Sequence, residues 1–587
     1  MQLKRLKKIA GKVDILNLGD AALLLDFRES VEPLSLIHRL CALLFSVSPD
    51  WLKDTIPGID SLFISLHFEN TDYQATRARA RAQIEVLIDS LHKDKKVTIE
   101  NDIVHRVRVC YDPELAPDLL ASAEKCKLSL REFINRHKNS EIRVDILGFM
   151  PGFPYCSGLD PSLRLPRLES PRTSVPKGSV AIAELQTGIY PKPTPGGWNV
   201  IGRTPDILFD PRNERPSLLN PGDRLEFIEI DLNEFKKITL AQEAEASQQR
   251  VSSISKNSAI EVLSSGLLTT IQGRPRYGFA HLALSAGGPM DKESARLANA
   301  LLGNPEDVAG LEITGTGPKL LFHQDTWVAW VGAQCLGLID GQSFPGNRPV
   351  HICKDQILSF ASMTQGYRLF LAISGGIESE FVLGGRGSHL SAGIGEKVVQ
   401  KGDFLYLPQA HLAQKKSLFK NLNDSGLNYP KWSIASPALP GKSIQMIKAI
   451  PSIHFNLLSP TEQALLWKTI WTVSSQSNRM GMRLDSDFKI SKPMTGIASQ
   501  GIWFGTVQLP PSGQPILMLA EHATTGGYPR LLETISSERS TLAQLRPGSK
   551  IQFVPVTLEE ADQINTIYIT EQDKTLDTLE ATLLDKS

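Results

Sequence analysis

Gly148-Phe-Met-Pro-Gly-Phe-Pro-Tyr155 is the stretch on which the fold turns. Glycine and proline alternate there with aromatic side chains. Glycine lets backbone approach closely, and proline stiffens a turn. The segment reads as a rigid barrel corner with Phe149 and Phe153 in the core, or as the rim of a ligand site. From Val144 onward, proline and glycine recur every few residues between short apolar runs, the pattern of a β-barrel with tight turns. This region begins after residue 113 with two short helices and closes near 232, just past Pro221-Gly-Asp-Arg-Leu-Glu-Phe-Ile228. Ser129 and Glu132 have the spacing of a capping box on the second helix.

Working outward, the chain upstream alternates strand and helix. Residues 13–27 read as a hairpin about Gly19-Asp20, 60–68 as a strand and 103–111 as another. Residues 33–47 place Leu36, Leu40, Leu43 and Val47 on one helical face. Residues 72–92 do the same with Ile84, Leu87 and Leu91, leaving Arg77, Arg79 and Arg81 to solvent. These elements make a small α+β domain over 1–112.

Downstream, residues 233–258 are polar and poor in aromatics, so they are expected to be a linker. A second module over 259–560 is again rich in short strands. Its one clear helix is capped by Asp291, turns Leu297 and Leu301 inward and stops at Gly303. A polar, proline-interrupted stretch, 413–445, is expected to divide it into two lobes, and 561–587 to be a frayed or loosely helical tail. The fold class is therefore mainly β, with an α+β N-terminal domain and a β-barrel in the first module.

Lysine plus arginine equals aspartate plus glutamate at 63 each, so no charge excess points to nucleic acid or an anionic membrane. Lys4, Arg5, Lys7 and Lys8 resemble the start of a leader, but Asp14, Asp20 and Asp26 interrupt the apolar stretch that a leader needs next. No apolar run is long enough to span a bilayer. The six cysteines form no Cys-x-x-Cys pair, which reads as reduced and cytoplasmic. The histidines show no metal-binding spacing, so no protein-held metal is expected.

Candidate ligand groups fall on loops. In the first module these are Arg172, Lys177, Gln186, Tyr190, Trp198 and Arg203, the donors and aromatic wall that a carboxylate or phosphate site needs. In the second, Asn478, Arg479 and Arg483 offer amide and guanidinium donors, and Thr524-Thr-Gly-Gly-Tyr528 offers hydroxyls and main-chain N–H groups. His281 is a candidate acid or base. Each residue has a plainer alternative: a braced turn, a salt bridge or a tight hairpin. Gly441-Lys-Ser443 ends like a phosphate-binding loop, but Ser436 stands where its first glycine belongs, and no buried strand precedes it.

Taken in order, Gly148–Tyr155, Pro171-Arg-Thr-Ser-Val-Pro-Lys-Gly-Ser-Val-Ala-Ile182, Gln186-Thr-Gly-Ile-Tyr-Pro191, Pro195-Gly-Gly-Trp198 and Gly202-Arg-Thr-Pro205 resemble the allophanate hydrolase subunit 1 family. That family includes the B subunit of 5-oxoprolinase, and KipI; the resemblance spans residues 14–232. Gly288-Pro-Met-Asp291, Leu302-Gly-Asn-Pro-Glu306, Ser477-Asn-Arg-Met-Gly-Met-Arg-Leu484 and Thr524–Pro529 resemble the subunit 2 family, which includes the C subunit of 5-oxoprolinase, and KipA, over 259–555.

The resemblance implies cyclophilin-like β-barrel modules in tandem and ATP-dependent opening of 5-oxoproline to glutamate. ATP would phosphorylate the lactam oxygen, with Mg²⁺ held mainly through phosphates. It also implies a separate partner, the A-type component of 5-oxoprolinase from the LamB/YcsF family. The implied substrate is a small anionic amide, and self-association is left open. His281, Arg479 and Glu521 are then the catalytic candidates. Arg172, Gln186, Tyr190, Trp198, Arg203, Asn478, Arg483, Thr524, Thr525, Gly526 and Gly527 are the substrate- and ATP-binding candidates. The second half departs from the pattern where Gln272-Gly273 replaces Gln-Asp and Glu521-His522-Ala523 replaces Asp-x-Gln. Two other readings are a KipI/KipA-like inhibitor of a sensor histidine kinase and a carboxyltransferase-like domain related to urea carboxylase.

Overall fold

The computed structural model describes residues 13–68, 72–93, 103–249, 259–408, 428–490 and 497–584. The basic N-terminal residues, residues 250–258 of the expected linker and residues 413–427 of the expected divider lie outside them. Among the described residues, no helix is long and apolar enough to cross a membrane.

The N-terminal sheet starts with the hairpin Asp14–Leu18/Ala22–Asp26, turned by Gly19 at φ +59. Ser61–Leu66 and then Leu52–Pro57 extend it antiparallel. The helices Pro33–Val47 and Tyr73–Lys93 enclose Leu23, Leu25, Ile64 and Trp51. The first helix buries Ile37, Leu40, Cys41 and Leu44, whereas Val47 is 57% exposed. Its inner face is thus rotated from the expected one, because Ile37 and Cys41 complete the i, i+3, i+4, i+7 stripe with Leu40 and Leu44. Arg77 corrects the expectation of a solvated side chain. It is buried, donates to Asp20 O at 2.9 Å and pairs with Asp562.

Two seven-stranded closed barrels come next, in tandem. Round its wall from the last strand, the first runs Arg224–Ile230, Val104–Cys110, Asn199–Arg203, Ser179–Ala183, Gln186–Ile189, Pro154–Ser157, Ile142–Leu147. The second runs Lys550–Pro555, Gln445–Pro451, Arg530–Thr534, Thr506–Gln508, Ile516–Met518, Gly481–Asp485, Trp471–Val473. Ranked by chain position, the two orders are identical, so the barrels share one topology. In both, first and last strands pair in parallel. In both, a two-stranded flap forms outside the wall: Arg172–Val175 with Thr194–Gly196, and Gln500–Gly501 with Thr525–Gly526. Between the barrels, residues 259–407 build a lobe of one six-stranded and one five-stranded sheet. The helix Lys292–Leu301 packs on it, capped by Asp291 through Ser294 N at 3.1 Å.

Several expected boundaries shift. Val104–Cys110 belongs to the barrel, because it matches Arg224–Ile230 residue for residue, so the α+β domain ends before 104. Part of the expected linker is a helix, Leu232–Gln249, anchored by Phe235 against Cys110 and Ile230. Ser129 caps its helix through Glu132 N at 3.3 Å, while the Glu132 carboxylate turns to Arg136 and leaves the box half made. The expected tail is the helix Leu558–Leu584. Its Asn565 donates to Asp20, its Tyr568 to Glu293, and Leu579 is buried beside Trp327. These anchors lie on different domains, so the helix is invisible as a folded element to local sequence reading.

Candidate functional site

Equivalent turns of the two barrels face each other. In the first barrel, Gly148–Phe153 succeeds Ile142–Leu147, and Lys192–Pro195 succeeds Gln186–Ile189. In the second, Asn478–Met480 and Glu521–Ala523 occupy the same topological positions. Together they line a cleft of about 300 Å³, completed by His389 and Ser391 from the intervening lobe.

The Gly148–Phe153 loop is wound tightly. Gly148 N donates to Phe153 O at 3.1 Å, and Phe149 and Gly152 have φ of +66 and +77. The left-handed turn pushes Phe149 to the cleft and Phe153 inward, where Phe153 meets Tyr190 and Trp198 edge-on at 5.1 and 5.8 Å. Phe149 N then donates across the module boundary to Thr525 Oγ1 at 3.3 Å. A side chain on Gly148 would collide with the same hydroxyl.

Lys192 is the cation on the cleft wall. Burial lowers its ammonium pKa to about 8, with Glu521 acting in the opposite direction. Glu521 belongs to a buried ion cluster. Arg479 Nε donates to Glu521 Oε1 at 2.6 Å, its Nη1 pairs with Glu312, and its Nη2 donates to Gly288 O at 2.6 Å. Glu521 Oε2 also accepts from Ser391 N at 2.8 Å. His389 is buried, which brings its imidazole down to about 4, so it is neutral. Its Nδ1 accepts from Ala392 N at 3.2 Å, which leaves the proton on Nε2 for Ser285 O at 3.0 Å.

The structure brings together Glu521, Thr525 and the Gly148–Tyr155 turn, and places Arg479 directly behind them. Its guanidinium is consumed by two carboxylates and a carbonyl, so it bolts the intervening lobe to the second barrel. The arginines do not converge on one guest. Arg172 pairs with Asp118 at 2.6 Å, and Arg203 donates to Lys177 O at 2.8 Å and lies over Phe235. Arg483 is exposed on its strand. Tyr190 and Trp198 belong to the barrel core, and Gln186 starts a wall strand. Asn478 turns its carboxamide oxygen to Met480 N and so shapes its own loop. Thr524 is buried with no partner for its hydroxyl among the described residues, and Gly526 and Gly527 pack against Gln508 and Ile497. His281 stacks on Phe45 at 4.7 Å and lines neither this cleft nor the cavity described next; burial brings it to about 4.

A second cavity, about 270 Å³, shares Ser285 and His522 with the cleft. It lies among the N-terminal sheet, the intervening lobe, the second barrel and the C-terminal helix. Lys53, Tyr277, Lys292 and Arg539 line it. Sequence reasoning passed over these four, and over Lys192, His389 and Ser391. Lys192 had a signal: it lies three residues before Pro195-Gly-Gly-Trp198, as His522 lies three before Thr525-Gly-Gly-Tyr528. The others are scattered singly and left none. Among the described residues, no three His, Cys, Asp or Glu side chains come together to hold a metal.

The carboxyltransferase domain profile for subdomains C and D matches residues 13–219, and that for subdomains A and B matches 282–555. The C subunit of 5-oxoprolinase from Escherichia coli (strain K12) is 31% identical over 305 residues, covering 51% of this chain and 93% of its own. The B subunit of 5-oxoprolinase from Bacillus subtilis (strain 168) is 34% identical over 232 residues, covering 38% of this chain and 95% of its own. The chain belongs to the family of 5-oxoprolinase B and C subunits. It carries the B-like portion first and the C-like portion second. Among solved structures, TTHA0988 superposes with a TM-score of 0.74 at 28% identity, over 91% of this chain and 99% of its own. Urea amidolyase of Saccharomyces cerevisiae (strain ATCC 204508 / S288c) is 28% identical over 352 residues, 56% of this chain but 18% of its own. Placed on the family's two portions, the cleft lies where the B-like barrel meets the C-like barrel.

Proposed function

We propose that the chain is the fused B–C component of an ATP-dependent 5-oxoprolinase, activating the lactam for hydrolysis to glutamate. One observation carries this reading: the cleft is complete only when both barrels are present. Lys192 and the Phe149 turn come from the B-like half, and Glu521, Thr525 and Met480 from the C-like half. Relatives named as separate subunits of one enzyme fit a site divided in this way.

A lactam carbonyl is a poor electrophile until its oxygen is made a leaving group. Phosphoryl transfer does this chiefly by positioning and charge neutralisation. Lys192 is the side chain on the cleft wall suited to phosphate oxygens. Mg²⁺ would be carried on the phosphates, since no carboxylate cluster stands ready among the described residues. The imidazoles of His389 and His522, neutral near pH 7, add no positive charge to the cleft, which leaves that role to Lys192. A LamB/YcsF-type third component completes ring opening in this reading.

The test is to purify the chain with and without that LamB/YcsF-type partner and to measure ADP and glutamate formed from 5-oxoproline. ADP formation that depends on 5-oxoproline and requires this chain is expected. Absence of ATP consumption with both proteins present rejects the reading. Dependence on a biotin-bearing partner would instead support the carboxyltransferase reading, which the similarity to urea amidolyase favours.

A further inference from the structure

The cavity beside the cleft has an unusual set of walls. Lys53 Nζ stands 4.2 Å from the centre of the Tyr277 ring, and Lys292 Nζ donates to the Tyr277 hydroxyl at 2.5 Å. Arg539 lies over Trp503 at 4.8 Å and over Phe504 at 5.3 Å. Among the described residues none of these three cations is seen in an ion pair with a carboxylate; their partners are aromatic. The acids on the wall are already engaged. Asp54 accepts from Gly278 N and Ala280 N at 2.9 and 3.1 Å, and Glu293 accepts from Tyr568 Oη at 2.6 Å. Glu306 is 3.5 Å from Arg296, which also meets Asp573. His522 is neutral, brought to about 4 by burial. Lys53, Lys292 and Arg539 therefore face the cavity with no carboxylate within ion-pair distance among the described residues, and the Tyr277 phenol is the ionisable group they share.

We propose that this cavity binds a small carboxylate through Lys53, Lys292 and Arg539, and that the carboxylate is that of the cyclic amide acid. The second clause rests on the function proposed above. Cations grouped on one side of a cavity of about 270 Å³ suit a small ligand with one charged end. Phe63, Ile56 and Met290 supply an apolar wall for the ring carbons.

Tyr277 reports on the site. Tyr277 is 37% exposed; desolvation of its hydroxyl would raise the phenol, but Lys292, Lys53 and Arg539 outweigh it and bring the phenol down to about 7. An incoming carboxylate offsets those cations and favours the neutral phenol. Near pH 7 and just above, binding should therefore return a proton to Tyr277, and affinity should fall as pH rises further.

The experiment titrates the full chain with 5-oxo-L-proline, with and without MgATP. Calorimetry measures binding, and near-ultraviolet absorbance measures tyrosinate. The lactam 2-pyrrolidinone, which lacks the carboxylate, is the control. The expected result is binding of 5-oxo-L-proline alone, with loss of the tyrosinate band. Lys53→Ala and Lys292→Met should each weaken binding by about tenfold or more. Tyr277→Phe, which keeps the packing, should abolish the spectral change. Binding that ignores all three substitutions, or equal binding of 2-pyrrolidinone, overturns the site while leaving the proposed function standing. No binding under any condition overturns both. Loss of the tyrosinate band on adding MgATP alone would assign the cations to phosphate and overturn the carboxylate.

Discussion

The main-chain N–H of Phe149 reaches Thr525 Oγ1 at 3.3 Å, and this contact ties the B-like barrel to the flap of the C-like barrel. The residue before it, Gly148, leaves no room for a methyl group next to that hydroxyl. Gly148→Ala should therefore destabilise by about 1–3 kcal/mol, as overpacking does, and open the cleft. Thr525→Ala in the same chain should recover part of the loss, because it removes the colliding atom. Urea unfolding of the single and double variants measures both; additivity of the two effects would mean that the contact is not felt.

Arg479 should behave as a structural bolt. Arg479→Leu strands Glu312 and Glu521 in the interior, and breaking a buried pair in this way costs about 3–5 kcal/mol. Arg483→Ala, on an exposed position, should change stability by no more than about 0.5 kcal/mol. Chemical denaturation separates the two, and equal effects would contradict the burial argument.

Acid should loosen the same cluster. Burial alone would raise the Glu521 carboxyl, but the Arg479 guanidinium and the Ser391 N–H hold it below its ordinary 4.5. A depressed acid contributes stability that is fully present above its unfolded pKa and is lost as pH falls through the folded value. The Glu521 contribution should thus be lost below about pH 4.5, beyond the loss that begins near pH 6.5 because His281, His389 and His522 stay neutral in the fold, and the part below 4.5 should be shallower in Glu521→Gln. Thermal melts between neutral and acidic pH provide the measurement.

Lys192 should set an alkaline limit on ATP consumption. Its ammonium, brought to about 8 by burial, is lost as pH rises through that value. If the charge holds phosphate, the rate should fall above about pH 8. Lys192→Arg should keep a substantial rate and move the fall to higher pH, while Lys192→Met should be nearly inactive at every pH. A pH–rate profile that is the same for lysine and arginine would remove Lys192 from the chemistry.

The C-terminal helix should prove integral to the fold. Arg77→Met leaves Asp562 without its ion-pair partner, and deleting residues 558–587 also strips Asn565 from Asp20 and Leu579 from the Trp327 cluster. Limited proteolysis should cut the truncated chain between domains where the intact chain resists.

Much of this was legible locally. The hairpin about Gly19, the helix Lys292–Leu301 with Asp291 at its cap, and the tight turn at Gly148–Tyr155 arise from nearest-neighbour chemistry. Turn residues, caps and apolar periodicity act within a few positions of themselves. The aromatic wall expected at Tyr190 and Trp198 turned inward for a different reason: Phe153 arrives from the Gly148–Phe153 loop and closes a core around them. Pro195-Gly-Gly-Trp198 and Thr525-Gly-Gly-Tyr528 were a visible hint of repetition, but only the strand order shows that both lie on matching flaps.

The sequence by itself determined the short Gly- and Pro-punctuated strands of both modules, because turn chemistry and alternation are local properties of the chain, and its family motifs implied that they close into tandem barrels. Tertiary structure alone decided which charges meet. Arg479 finds Glu312 at a separation of 167 residues, and Arg77 finds Asp562 at 485. A guanidinium carries no record of its partner in its neighbours along the chain. Its role is fixed only when packing removes water and leaves one carboxylate within reach.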